Sequence, residues 1–282
     1  MSVLTAVEQK LTQLKLGRVR EVVAGAITQA EQQQVGYGEF LDELPAEELL
    51  GRQENQIRRK LKQAGFPYAA TLEQFEWQAR PELKRAVMMR YFDSAFVEKA
   101  GALILIGPSG LGKTHLAIAV GTRMVQLGYS VRFLTMQQLA NQVPAAPHRT
   151  AVATVLHPLL RCHLLILDEF GYLQIDPQLG PVRYELVSGR YEHGATVITS
   201  NKSLAQWGEV VGDETALMMA ILDRLLHHGE VFYLRGTSYR LRGKEPVVLH
   251  GAAGVEPSPP AGTEPAGPSQ DGRGHDAPGT ER

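Results

Sequence analysis

The sequence predicts an α/β protein in which a parallel five-stranded sheet flanked by helices follows a small all-helical domain. Five short runs between residues 96 and 245 are apolar at nearly every position and are separated by helix-length segments, the pattern of parallel strands covered on both faces. A glycine-rich loop follows the first of these runs directly, where a strand would turn into a helix. Before residue 96 there is no convincing strand pattern, and apolar positions recur at helical spacing instead.

In the amino-terminal region, residues 1–95, Leu41 to Leu50 carries that spacing and the helix continues through Gln53 to Leu61, until Gly65, Phe66 and Pro67 stop it. Glu82 to Lys99 is predicted as one further helix, with Pro81 suited to its first position because proline has no N–H to leave unpaired there. The candidate strands of the core, residues 96–245, are Leu103–Ile106, Val131–Leu134, Leu164–Leu167, Thr196–Thr199 and Val231–Leu234. Between the second and third, Asn141 to Pro158 contains Pro144, Pro147 and Pro158, which permit only a broken or short helix. Residues 246–282 are Gly/Pro-rich; they carry too little apolar area to offset the entropy of ordering and are expected to be a disordered tail.

A chain of 282 residues can build a substantial core without metals or disulfides. Its single cysteine, Cys162, excludes an internal disulfide, and no secretory pattern opens the sequence, so a reducing cytoplasm is expected. The apolar runs are strand-sized and far short of a bilayer span, so no membrane role is expected. With 29 basic and 30 acidic side chains the net charge is -1, and any nucleic-acid contact has to come from a local face. Short basic clusters, Arg58, Arg59, Lys60 and Lys62, and the pair Lys84 and Arg85, are the candidates; solvated helix faces or protein contacts are the other readings.

The loop reads Gly107, Pro108, Ser109, Gly110, Leu111, Gly112, Lys113, Thr114, followed by His115. Such a spacing arises by chance in about one chain in a hundred, so the context decides, and here a strand precedes the loop and a helix opens near Lys113. The glycines let the backbone wrap phosphates, and successive amides at the helix start direct donors at them. Lys113 can reach the outer phosphates, and the Thr114 hydroxyl is a ligand for magnesium. A second signal lies 55 residues beyond Lys113, where the run Leu164–Leu167 ends in Asp168 and Glu169. A strand buried on both faces delivers Asp168 to the carboxyl edge of the sheet, where phosphates bind. Asp168 is read as a magnesium ligand, direct or through water, and Glu169 as the group that polarises the attacking water. Together these favour ATP hydrolysis over a kinase or a passive switch. Asn201, just past the fourth strand, is placed to contact the γ-phosphate or the water; the other reading is a cap for the helix beginning near Ser203.

Taken together, Gly107–Ala117, Leu164–Leu173, Ile198–Asp213, Ile221–His228, Ser238–Arg242 and Thr71–Trp77 resemble the AAA+ ATPases, and among them the IstB-like transposition helpers and the related DnaC-like helicase loaders. The resemblance covers about residues 10–245. It implies sheet order 5-1-4-3-2, ATP with magnesium, ATP-dependent self-association into a ring or helix on double-stranded DNA, and assistance to a cognate transposase in selecting or presenting target DNA. It also implies a helical amino-terminal domain for DNA, partner and oligomer contacts, with DNA held mainly through its backbone. A helicase loader and a nucleotide-dependent scaffold without turnover are the alternatives. Arg224 matches the arginine that in this family reaches a neighbouring subunit's nucleotide; a local salt bridge is the other reading, and Arg190 is a second candidate for the role. Arg240 and Arg242 are read either as a nucleotide sensor or as edge-strand charges.

Three further sets of residues read as structural. Cys162 and His163 are expected on opposite faces of a strand, unable to share an ion. His227 and His228, at a helix end where positive charge is favourable, show no zinc spacing, with phosphate contact as the other reading, and Trp77 and Trp207 read as packing anchors, with base-stacking platforms as the other reading.

Overall fold

The computed structural model describes residues 2–143, 149–170, 179–209 and 215–239, all within one compact unit. The Gly/Pro-rich segment 246–282, the pair Arg240 and Arg242, and the prolines Pro144 and Pro147 lie outside the described residues.

The amino-terminal region holds α1 (Val3–Gln13), α2 (Gly17–Gln33) and α3 (Tyr37–Ala64). The third helix accommodates Pro45 and ends at Gly65, whose φ of 77° is the left-handed conformation that glycine supplies at helix ends. Its carboxyl half packs on the second strand and on the helix after the phosphate loop. There Lys60 donates to the Gly128 carbonyl, and Arg132 donates to that of Gln63.

One expectation for this region fails. Residues 82–99 are not a single helix but α4 (Arg85–Met88), a 3-10 turn (Met89–Phe92) and α5 (Ser94–Glu98). The break follows from Asp93, whose carboxylate accepts from the Ala95 amide at 2.9 Å and so starts a new helix. It also turns Met88, Tyr91, Phe92, Phe96 and Val97 together into the core, which one straight helix of that length would not do. Pro81 lies in the turn ahead of α4 rather than at a helix start.

The core elements are β1 (Ala102–Ile106), α6 (Lys113–Gln126), β2 (Val131–Thr135), α7 (Met136–Gln142), α8 (Arg149–Arg161), β3 (Leu164–Asp168), α9 (Leu179–Arg190), β4 (Ala195–Ser200), α10 (Leu204–Glu209), α11 (Thr215–His227) and β5 (Gly229–Tyr233). All strand pairs are parallel and the order is β2-β3-β4-β1-β5, which is the expected 5-1-4-3-2 read from the other edge. Side chains alternate between two cores, as a strand requires. Leu103, Leu105, Leu164 and Ile166 face α6 and the segment after α3, whereas Ile104, Ile106, Leu165 and Leu167 face α8, α9 and α11. Each fully buried Leu or Ile here contributes about 1.5–3 kcal/mol, so the sheet is a rigid base for the loops at its carboxyl edge.

The segment around Asn141–Pro158 is also more helical than its prolines suggest, because α8 runs unbroken through Pro158. Val152, Leu156 and Leu159 form a buried stripe at helical spacing, and that packing outweighs the hydrogen bond lost at Pro158.

Candidate active site

Parallel pairing sets Ile106 beside Ser200, and Thr135 beside Asp168, so the ends of β1, β3 and β4 form one edge. The loop leaving β1 is closed down by its neighbours. The Gly107 amide donates to the Ser200 carbonyl at 3.0 Å, and the Tyr239 amide donates to that of Gly110 at 2.9 Å. A Cβ at position 107 would lie 2.3 Å from the Leu234 carbonyl oxygen, and one at position 110 would lie 2.0 Å from Ser238 Oγ, at a φ of 80°. These approaches require glycine.

The loop and the strand ends enclose a cleft of about 560 Å³. Ser109, Gly110, Leu111, Gly112, Lys113, Thr114 and His115 line one side, and Asp168, Glu169, Thr199, Ser200 and Asn201 line the other. Gly107 and Pro108 form the base of the loop, where their carbonyls accept from Lys113 Nζ at 2.6 and 2.8 Å. Thr114 Oγ1 donates to Asp168 at 2.9 Å across a separation of 54 residues. A threonine hydroxyl beside a carboxylate is a hard oxygen pair that suits magnesium. The Asp168 carboxylate also accepts from the Thr199 hydroxyl, which in turn accepts from the Glu169 amide at 3.2 Å. Glu169 sits at φ 60°, an uncommon conformation for a residue with a side chain, and is exposed to the cleft. The next amide, that of Phe170, donates to the Thr199 carbonyl at 2.8 Å and pins the turn. Asn201 lines the cleft, and the cap of α10 is Ser203, which exchanges hydrogen bonds with Gln206.

The third wall comes from the segment between α3 and α4, through Tyr68, Gln74, Phe75, Glu76, Ala79 and Arg80, together with Tyr239. Sequence reasoning assigned no site role to these residues. Arg80 is 4% exposed and donates to the carbonyls of Leu111, Ala79 and Thr237, which ties this segment to the loop and to the chain after β5. His115 contacts the Thr71 carbonyl at 3.0 Å through Nε2 and lies near the Phe75 ring, so it joins α6 to the same wall.

Other expected residues lie elsewhere. Arg224 packs on Tyr184 of α9, with its guanidinium 5.1 Å from the ring centre and donating to the Tyr184 hydroxyl and the Ala220 carbonyl; it is not among the residues lining the cleft. The second candidate, Arg190, is corrected by its surroundings. It is 2% exposed and donates to the carbonyls of Leu159, Cys162, His163 and Ala195 and to Thr196, so it clamps the amino ends of β3 and β4 and cannot extend to another subunit. Burial pulls its guanidinium below the ordinary value, against the opposing effect of the Cys162 thiol. Cys162 and His163 occupy the bend ahead of β3 rather than a strand, and they part company there, Cys162 toward Arg190 and His163 toward Ser130. Among the basic clusters Arg58, Arg59, Lys62, Lys84 and Arg85 are exposed, with Arg85 stacked 5.8 Å from the Trp77 ring centre, while Lys60 is half-buried on Gly128. Trp207 is fully buried and donates to Ser200 Oγ at 3.0 Å, a packing anchor as expected.

A parallel sheet in this order, with a glycine loop after β1 and a carboxylate at the end of β3, defines a P-loop protein of the AAA+ class. The fold is shared with the crystal structure of DnaI, at a TM-score of 0.50 and 19% identity over 63% of this chain and 94% of that one. Within the class, the chain belongs to the family of IstB-like ATP binding proteins, whose model matches residues 9–246. Its relatives include the ATP-binding protein of insertion sequence IS21 from Pseudomonas aeruginosa, 38% identical over 84% of this chain and 89% of the relative. Another is that of insertion sequence IS5376 from Geobacillus stearothermophilus, 37% identical over 74% of this chain and 83% of the relative. No helix among the described residues is long and apolar enough to cross a membrane.

Proposed function

We propose that this chain hydrolyses ATP to ADP and phosphate, assembles with copies of itself on double-stranded DNA while ATP is bound, and assists the transposase of its own insertion sequence in choosing or presenting target DNA. The hydrogen bond of 2.9 Å between Thr114 and Asp168 carries the catalytic part, because it brings a loop hydroxyl and a strand-end carboxylate together beside Lys113. The family's names, which tie ATP-binding proteins to insertion sequences, support the rest.

In this reading the loop amides and Lys113 hold the triphosphate. Lys113 exchanges its carbonyl partners for phosphate oxygens, which are stronger acceptors because they are charged. Thr114 and Asp168 would hold magnesium, which supplies charge neutralisation at the phosphates. Glu169, on the other side of the cleft, takes the proton of the attacking water, and Asn201 orients that water or the γ-phosphate.

Glu169→Gln keeps the cleft and its loop but removes the base, so it should bind a fluorescent ATP analogue within about twofold of the parent chain and turn over at least a hundredfold more slowly. Undiminished phosphate release by the variant would remove Glu169 from the mechanism. Gel filtration with light scattering, comparing ATP with ADP in magnesium buffer with and without duplex DNA, tests the assembly. A large complex that needs both ATP and duplex supports the proposal, and a chain that stays small and ignores duplex refutes it.

A further inference from the structure

At the opposite, amino edge of the sheet the turn after α9 and the end of α11 lie side by side, because β4 and β5, which they lead into, both flank β1: Ala102 pairs with Thr196 on one side and with Gly229 on the other. Glu192 occupies the first turn at φ 61°, and His227 and His228 occupy the second. His227 Nδ1 lies 3.0 Å from His228 Nε2, which lies 3.6 Å from Glu192 Oε1. The three donor atoms fall within 4.8 Å of one another, and all three side chains are exposed. Tyr191 brings its hydroxyl to 2.8 Å from the same Nδ1 and stacks its ring on His228, which fixes both imidazoles.

One hydrogen links the two imidazole nitrogens at 3.0 Å, and the Tyr191 hydroxyl lies against the same Nδ1. A cation bound by both nitrogens and the carboxylate would replace that hydrogen. Zinc–nitrogen bonds of about 2.0–2.1 Å at angles between square and tetrahedral place two ligand nitrogens roughly 2.9–3.4 Å apart, and the observed 3.0 Å falls in that interval.

We propose that Glu192, His227 and His228 form a binding site for a divalent transition metal of the zinc type. Two imidazoles and a carboxylate suit zinc, cobalt or nickel and are a poor set for magnesium, which prefers oxygen. Sequence spacing did not reveal the site because its third ligand is 35 residues from the nearer histidine. The bound ion ties the turn before β4 to the turn before β5 and fixes the last turn of α11, which also carries Arg224. Arg224, Glu192 and His228 line the same shallow hollow, so metal occupancy would set where that arginine's turn sits. The site is independent of the ATP reading.

The test uses the full chain without a histidine tag, stripped with a chelator and titrated with Co2+ alone, followed by visible absorption, with Zn2+ added afterwards. The expected result is a saturable visible band at one Co2+ per chain, bleached by one equivalent of Zn2+. His228→Ala and Glu192→Gln should each weaken Co2+ binding by at least tenfold while melting normally in chelator, and Asp168→Asn should leave it unchanged. No saturable band overturns the proposal, as does a band that survives both surface substitutions or one that disappears in Asp168→Asn.

Discussion

Thr199 holds two acidic residues in place at once: its hydroxyl donates to the Asp168 carboxylate and accepts from the Glu169 amide. Glu169 keeps its left-handed φ of 60° because this contact and the adjacent Phe170 amide determine the turn, and strain of that kind concentrates at working sites. Thr199→Val preserves the shape and removes the hydroxyl. The expected outcome is turnover reduced roughly tenfold to a hundredfold, the effect of losing hydrogen bonds to a charged group worth about 1.5–3 kcal/mol. Steady-state phosphate release measured beside nucleotide affinity checks it, and turnover equal to that of the parent chain would show that Thr199 does not position the acids. Lys113, Thr114 and Asp168 were legible in the sequence because their spacing is local to one loop and one strand end. Thr199 was not, since a threonine closing an apolar strand looks like any other, and its bond to Asp168 spans 31 residues. Arg80 was hidden more deeply: its guanidinium reaches the Thr237 carbonyl across 157 residues, and no local pattern encodes such a contact. The fold also supplied a criterion between readings of Asn201, because Ser203 already caps the helix that Asn201 was a candidate to cap.

Among the elements, the strands were read within two residues of their ends because being covered on both faces leaves an unmistakable apolar run. The stretch from Glu82 to Lys99 misled because helical spacing persists across short pieces that the core bends apart. The start of α2 shows another device that spacing conceals. Glu48, from the middle of α3, accepts from the backbone amides of Arg18 and Val19 at 3.0 and 3.3 Å, so a residue of another helix serves as the cap. Burial raises the Glu48 carboxyl, but the hydrogen bonds from Arg52, Val19 and Arg18 and the charge of Arg52 outweigh it and leave the group below its ordinary value of 4.5. A carboxyl lowered in the fold stabilises the charged state above the unfolded value and loses that contribution as pH falls through the folded one. Glu48→Gln should therefore lower the melting midpoint at pH 7 by about 2–4 °C, as expected for a cap worth ~1 kcal/mol. As pH falls through the lowered folded-state value the wild-type carboxyl takes up a proton as well, and the two melting curves should converge. An offset that stays constant through the whole acid titration would show that Glu48 acts through packing rather than through its charge.

Across the whole molecule, the cleft and Arg224 occupy opposite ends of the same strand. The loop at Gly107 follows the carboxyl end of β1, whereas α11 delivers Arg224 next to β5, whose first residue Gly229 pairs with Ala102 at the amino end. The five residues of β1 span about 13 Å between these ends, so Arg224 is badly placed to serve the nucleotide of its own chain, and we propose that it serves that of a neighbouring copy. Under that proposal hydrolysis depends on assembly, since the charge that stabilises the transferring phosphoryl group comes from a second copy. Mixing two inactive chains tests it. Arg224→Ala has a complete cleft and no arginine to lend, and Glu169→Gln has the arginine and no base. In an equal mixture that assembles at random, half of the clefts keep Glu169 and half of their neighbours carry Arg224, so about a quarter of the parent turnover should return. If Arg224 served its own cleft, or served only Tyr184 and the packing of α11 on α9, the mixture would be no more active than its separate components. Repeating the mixture with Arg224→Ala and Lys113→Ala subunits asks whether the lending chain must itself hold nucleotide. Recovery with Glu169→Gln but not with Lys113→Ala would mean that ATP in one cleft builds the interface that completes the next.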